Sequence, residues 1–229
     1  MIIDVITPAL NEEKAIASVI RDIPKGLIRH FIVCDNGSFD RTAEIARSMG
    51  ALVIHEPERG YGAACLKGIA YLKDLPIDKQ PDIVVFIDAD YSDFPEEIPE
   101  LVRPILEGKA DLVIGSRVLG NADRGSLTFV QRFGNALATL LIRLIYGYQF
   151  TDLGPFRAIR FKTLLELGMK DRNFGWTVEM QIRAAKLKIS ATEIPVNYKN
   201  RIGKSKVSGT VKGSILAGYK IIYTIFKLL

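Results

Sequence analysis

Asp88 and Asp90 stand two residues apart, just after the apolar run 84–87 (Val-Val-Phe-Ile). Strand side chains alternate between faces, but once the chain leaves the strand both carboxylates can converge on one point. Such a pair suits a divalent cation carrying a diphosphate, because hard cations take carboxylate oxygens and keep positions open for substrate phosphates. An Asp-x-Asp pair can equally cap the next helix, so its meaning depends on its company. Similar polar clusters follow other apolar runs. Asn11-Glu12 come after 2–10, Asp35-Asn36-Gly37-Ser38 after 31–34, Arg59-Gly60-Tyr61-Gly62 after 51–54, and Gly115-Ser116-Arg117 after 110–114.

The apolar runs are of strand length, and between them lie segments of helical character. Helices are expected at about 14–21, at 40–49 (capped by Asp40 and stopped by Gly50), after Gly62, and from Pro95. Regular alternation of strand and helix implies an α/β chain, with a mostly parallel central sheet flanked by helices on both faces. Ligands of such sheets bind beyond the carboxyl ends of the strands. Every cluster named above falls at such an end, so together they form one expected site.

At this point the chain resembles a known family. Residues 8–12 (Pro-Ala-Leu-Asn-Glu), 34–42 (Cys-Asp-Asn-Gly-Ser-Phe-Asp-Arg-Thr), Asp88-Ala89-Asp90 and Gly115-Ser116-Arg117 are similar to motifs of the family-2 glycosyltransferases. Within that family the resemblance is to the polyprenyl-phosphate sugar synthases, such as dolichol-phosphate mannose and glucose synthases. Residues 151–157 (Thr-Asp-Leu-Gly-Pro-Phe-Arg) and 201–206 (Arg-Ile-Gly-Lys-Ser-Lys) extend it over nearly the whole chain. Two departures stand out. The family often has a second Asp where Asn36 stands, and a Gln where this chain has Ser92.

The resemblance implies a nucleotide-sugar-binding, Rossmann-like glycosyltransferase A fold. It implies Mg2+ or Mn2+ as cofactor, with Asp90 ligating the metal and Asp88 contacting the donor or supporting the metal site. Asp35 and Glu12 would face the base and ribose, Pro8 and Leu10 would shape the base pocket, and Ala89 would lie beside the sugar nucleotide. Gly60 and Gly62 permit close backbone approach to the donor. Asp93 has two readings, a further metal contact or the N-cap of the helix ahead of Pro95, and the cap is favoured.

Negative charge builds on the leaving diphosphate when a nucleotide sugar reacts at its anomeric carbon. Arg117 emerges from a strand end, and with Arg201 it could stabilise that charge. Asp152 is the candidate base if the acceptor is a hydroxyl, and otherwise it holds a turn before Leu153-Gly154-Pro155. Arg157 could pair with Asp152, while Trp176 and Glu179 read as acceptor-side or as packing residues. The resemblance assigns the loop of Arg201, Ser205 and Lys206 to closing over donor diphosphate and acceptor phosphate. A solvated basic patch is the alternative.

Net charge is +5, but residues 197–229 hold seven Lys or Arg and no acid, so residues 1–196 carry about −2. No aromatic-interleaved basic motif or recognition helix accompanies this charge, which argues against nucleic acid as partner. Residues 211–229 are mainly apolar but interrupted by Lys212, Lys220 and Lys227. A spanning helix needs about 20 largely uncharged residues, so the segment reads as an amphipathic helix lying in a membrane interface. Packing on the chain's own core, or on a second copy in a homo-oligomer, is the other reading. Residues 127–148 hold Arg132 and Arg143 among many apolar side chains and no acid. A buried helix would explain these apolar residues as well. The resemblance places this helix beside the acceptor, with Arg132 an acceptor contact, so a dual role is expected, core on one face and lipid access on the other.

The chain is long enough for one good core, divided here as a catalytic unit, 1–206, and the C-terminal helix, 207–229. No secretory signal peptide is expected, because the first apolar stretch contains Asp4. Cys34 and Cys65 suggest neither a disulfide framework nor a zinc site. The expected location is therefore cytoplasmic, peripheral on the inner face of the cell membrane. The expected activity is metal-dependent, inverting transfer of a hexose from a UDP- or GDP-sugar to a polyprenyl phosphate. The alternatives are the same fold acting on a soluble or glycan hydroxyl, or a non-enzymatic nucleotide-sugar binder, which would not need Asp90, Arg201 and Lys206 together. A nucleotidyltransferase would want a Gly-rich, basic N-terminal loop, which residues 8–12 lack.

Overall fold

The structure is a computed structural model that describes residues 1–203 and 211–229. In chain order the elements are β1 (Ile3–Ala9), α1 (Ile16–Arg21), β2 (His30–Asp35), α2 (Thr42–Ser48), β3 (Leu52–His55), α3 (Tyr61–Lys73), β4 (Ile83–Phe86) and α4 (Ile98–Leu106). There follow β5 (Leu112–Ser116), α5 (Phe129–Tyr146), β6 (Arg157–Arg160), α6 (Phe161–Leu167), α7 (Trp176–Lys186), β7 (Ala191–Pro195) and α8 (Val211–Lys227). The strands form one seven-stranded sheet in the order β3-β2-β1-β4-β6-β5-β7. β6 runs antiparallel to β4 and β5, and the other pairings are parallel.

Alternating strand residues feed two apolar layers. Ile6, Ile32, Val84 and Phe86 point into a core closed by α3, α5, α7 and α8, while Val5, Val33, Val85 and Val113 meet α1, α2 and α4. Trp176 anchors the first layer edge-on to Phe86, with ring centroids 5.8 Å apart. Burying each such large apolar side chain contributes about 1.5–3 kcal/mol.

The expected mostly parallel sheet is present, and so are its helices, with shifted ends. Gly50, at φ +85°, stops α2, and Asp40 accepts the Thr42 N–H at 2.9 Å at its start. α5 starts on a capping box, in which Thr128 and Gln131 each accept the other's backbone N–H, and Gly147 in the left-handed region ends it. The strand expected to run on to Tyr198, β7, ends at Pro195, although the next residue still reaches the sheet, with the Val196 N–H donating to the Ser116 carbonyl at 3.2 Å. Beyond it Tyr198 makes isolated bridges to Asp93 and Ala122.

α8 packs into the first core layer through Ile221, Ile222, Ile225 and Leu228. The Tyr146 hydroxyl donates to the Ile225 carbonyl at 2.6 Å. Leu216, Tyr219, Tyr223 and Phe226 face outward. The inward face is thus part of the chain's own core, as the second reading of this helix has it. Among the described residues no helix is long and apolar enough to cross a membrane.

Candidate active site

The carboxyl ends of β1, β4 and β5 open on one cavity of about 1410 Å³, which continues between α5 and α8. At one end it is lined by Pro8, Leu10, Glu12, Asn36, Arg59 and Gly60; at its centre by Asp88, Ala89, Asp90, Arg117, Asp152 and Arg201. β6 enters the sheet at this same edge because it runs backwards, and this brings residues 151–155 to the site.

Asp88 and Asp90 leave β4 as expected and converge on the cavity. Asp88 Oδ1 accepts a hydrogen bond from the Tyr61 hydroxyl at 3.0 Å. Burial, then the neighbouring Asp90 charge, pushes the Asp88 carboxyl up to about 7, against the pull of Arg201, Tyr61 and Arg117. Asp90 Oδ1 accepts from the Ser92 amide at 2.9 Å and the Ser92 hydroxyl at 2.5 Å, while Oδ2 pairs with Arg201 at 2.7 Å. Ser92 therefore stiffens Asp90 from behind.

The residues fit a hard divalent cation. Two carboxylates face one space, and a guanidinium already stands as counter-cation to Asp90. Among the described residues no group of three or more His, Cys, Asp or Glu could hold a metal by itself. One or two protein carboxylates, completed by phosphate oxygens and water, is the usual arrangement where a substrate diphosphate shares the ion.

Asp93 does not cap a helix, contrary to the sequence expectation. The turn at Pro95–Glu97 has Phe94 at its N-cap position and no side-chain cap bond. Asp93 is 1% exposed, and among the described residues neither of its carboxylate oxygens has a hydrogen-bond partner. Burial and the charges of Asp88 and Asp90 push its carboxyl well above the ordinary range.

Arg117 and Asp152 form the most closely fitted pair in the site. Asp152 Oδ2 accepts from the Arg117 backbone N–H and from Nε, each at 2.8 Å, and Oδ1 accepts from Nη2 at 2.7 Å. Burial pushes Asp152 up, but the charge and hydrogen bonds of Arg117 outweigh it and hold the carboxyl below its ordinary value. An ionised carboxylate so occupied orients a guanidinium and is poorly placed to accept a proton. Arg157 does not pair with it. The Arg157 guanidinium is wholly buried and donates to the carbonyls of Leu153, Gly154 and Thr177, and burial pushes it down to about 10.

Gly60 and Gly62 are needed for packing against protein backbone. A Cβ on Gly60 would lie 2.0 Å from the Arg172 carbonyl oxygen, and one on Gly62 would lie 2.0 Å from that of Asp171. Gly60 lines the cavity and Gly62 lies off it. Asp35 also lies off the cavity wall, its oxygens engaged by the Ser38 N–H at 3.1 Å and His55 at 3.2 Å. Asn36, the departure from the family pattern, lines the cavity and ties the 56–60 loop together. It donates to the carbonyls of Glu56 and Glu58 and accepts the Gly60 N–H.

Trp176 and Glu179 are packing residues. Glu179 is buried and accepts the N–H groups of Lys170 and Asp171 and the side chain of Arg183. Arg132 lines the far part of the cavity with Val130, Phe133, Leu137 and Leu140 of α5 and Ile221 and Ile222 of α8. Ser205 and Lys206 lie outside the described residues.

Sequence reasoning passed over Tyr61, Asn135 and Glu193. Tyr61 had a signal, since it sits inside the glycine loop already singled out. Asn135 and Glu193 had none, because their partners lie at distant positions, Thr151 and Leu153 for one and Thr151 and Asp152 for the other.

Comparison with known proteins adds three likenesses and a family. The sequence model "Glycosyl transferase family 2" matches residues 4–168. The chain is 37% identical over 218 residues to an uncharacterized glycosyltransferase of Mycobacterium tuberculosis, covering 94% of each. It is 32% identical over 214 residues to a dolichyl-phosphate hexose transferase of Haloferax volcanii, covering 93% of this chain and 89% of that one. Its fold matches glucosyl-3-phosphoglycerate synthase of M. tuberculosis, solved with Mn2+, UDP and glucosyl-3-phosphoglycerate. That match has a TM-score of 0.75 and 25% identity, and covers 99% of this chain and 79% of that one.

Proposed function

The chain belongs to the family-2 glycosyltransferases, and from that premise we propose that it moves a hexose from a UDP- or GDP-sugar to a polyprenyl phosphate at a membrane surface. The observation that carries this reading is the continuity of the cavity. It runs from the Asp88–Asp90 pair into a groove walled by Val130, Phe133, Leu137, Leu140, Ile221 and Ile222. A small polar acceptor has no use for such an apolar extension, whereas a lipid chain does.

The donor diphosphate belongs at Asp88 and Asp90, which would hold Mg2+ or Mn2+. The ion would neutralise charge on the departing diphosphate. Arg117, fixed by Asp152, and Arg201, beside Asp90, present guanidinium groups to the same region. Such preset charges act without reorganisation as negative charge grows. A phosphate-monoester acceptor is largely ionised near neutral pH, its second pKa being about 6. It needs no general base, in keeping with an Asp152 already occupied by Arg117. Arg132 and Arg143 are both cations along the groove; Arg132 is the one assigned to the acceptor phosphate, and Ser205 and Lys206 would complete that end. Glu12, Pro8 and Leu10 would enclose the nucleoside.

A second reading uses a soluble hydroxyl acceptor, and the likeness to a synthase of glucosyl-3-phosphoglycerate favours it. Labelled UDP- and GDP-sugars, offered with Mn2+, Mg2+ or chelator and with polyprenyl phosphate or 3-phosphoglycerate, separate the two. Metal-dependent label in the lipid phase is expected. Label entering only the soluble acceptor would replace the first reading with the second.

A further inference from the structure

The turn that carries Asp152 is held by side chains from several elements. Glu193 on β7 accepts the Thr151 N–H at 2.8 Å and the Asp152 N–H at 3.1 Å. Gln181 on α7 donates to the Asp152 carbonyl at 2.9 Å. Asn135 on α5 donates to the Thr151 carbonyl and accepts the Leu153 N–H, each at 2.8 Å. Glu193 is half-buried and does not line the cavity.

A carboxylate is a costly choice at this position. Burial pushes the Glu193 carboxyl up, and the nearby Asp152 charge adds to that push, while the Thr151 and Asp152 amides pull it down. Asn or Ser can hold turn amides without setting two negative charges side by side. The second charge brings stronger, charge-assisted bonds to the backbone of the very residue that presents a carboxylate to Arg117. A small displacement of that backbone moves both oxygens that fix the guanidinium, and rate is sensitive to such misplacement.

We propose that Glu193 is a positioning residue, which sets the Arg117 guanidinium on the cavity wall by fixing the backbone of Asp152. The proposal rests on the transferase reading only for its effect on rate.

Glu193→Gln keeps the volume but removes the charge and turns an amide donor toward backbone donors. In that variant kcat should fall about tenfold, the size of one lost charge-assisted bond, with donor KM nearly unchanged. Combined with Arg117→Lys, it should cost no more than Arg117→Lys alone. The Arg117 Nε–H signal in a nitrogen-resolved NMR spectrum, identified by its loss in Arg117→Lys, should shift and exchange faster with solvent. Glu193→Asp, which keeps the charge on a shorter arm, replaces Glu193→Gln in every measurement if the latter does not fold. Additive losses in the double variant, or an unmoved Arg117 signal, overturn the proposal. A wild-type protein that transfers no sugar overturns the functional reading instead, and the NMR measurement still decides the role of Glu193.

Discussion

Arg201 pairs with Asp90 at 2.7 Å while the Ile202 N–H, one residue on, donates to the Asp90 carbonyl at 3.0 Å. The same segment is fastened at Lys199, whose N–H donates to the Ser92 carbonyl at 2.9 Å. The Lys199 ammonium also stands 3.3 Å from the centroid of the Tyr91 ring. A planar, two-pronged cation is thus fixed beside the carboxylate assigned to the metal. Arg201→Lys keeps the charge and loses the fork, so turnover at saturating substrates should fall about tenfold or more. Near-wild-type turnover would remove Arg201 from the transfer step.

Asp90→Asn removes one charge from the pair facing the cavity. Transfer should be abolished, and Mn2+ binding measured by calorimetry should weaken, with the melting temperature close to that of the wild type. An Asn variant that stays active and indifferent to chelator would exclude a metal at this pair.

Asp152→Asn tests whether that carboxylate takes a proton or holds a guanidinium. Breaking a buried pair costs about 3–5 kcal/mol of stability, and kcat should fall because Arg117 loses its anchor. The shape of the pH–kcat profile should not change, since Arg117 keeps Asp152 ionised across the neutral range. Loss of a rising limb in the variant would restore Asp152 as a base.

Much of this site is written locally in the chain. Asp88, Asp90, Arg117 and Leu10 each follow an apolar strand directly, so strand periodicity alone delivers them to one edge of the sheet. The reversal of β6 is not local, since residues 157–160 form a short strand whose direction is set by its neighbours β4 and β5. Errors arose where tertiary partners override local chemistry. Asp93 ahead of Pro95 has the pattern of a cap, yet its backbone pairs with Tyr198, distant in sequence, in an isolated bridge, and its side chain makes no cap bond. Gly62 looks like a ligand-facing glycine, but it lies off the cavity, and the backbone of residues 171–172, more than a hundred positions away, fills the space its missing side chain leaves. Glu193 gave no signal because its role lies in what Asp152 holds.

Asp93 carries a pH signature. Its folded-state carboxyl is raised above the unfolded value, so the folded protein holds a proton that the unfolded chain releases. Its contribution to stability is full below the unfolded pKa, about 3.9, and is lost as pH rises through the folded value. Asp93→Asn supplies a neutral group of similar shape. In chelator, the variant should melt above the wild type at neutral and alkaline pH, and the gap should close as pH falls toward 4. A gap that is constant with pH would mean that Asp93 is ionised and stabilised by partners in the folded protein.

The two faces of α8 predict opposite phenotypes. Ile225 is fully buried against α5 and α7, whereas Tyr219 is 68% exposed and Phe226 is 51% exposed. Exposed aromatic side chains on an amphipathic helix with basic residues suit the headgroup region of a bilayer. α5 exposes Phe129, Phe133 and Leu144 as well. Ile225→Ala should lower unfolding stability by about 2–5 kcal/mol in chemical denaturation, as cavity-forming core truncations do. Tyr219→Ser with Phe226→Ser should change stability by less than about 1 kcal/mol in total. That double variant should no longer co-sediment with anionic vesicles, and it should lose activity on long polyprenyl phosphates more than on short soluble analogues. Raising salt should weaken wild-type binding, since attraction to the surface is screened beyond about 8–10 Å near physiological ionic strength. Wild-type vesicle binding in the double variant would take the membrane off this face and leave α8 as a core helix alone.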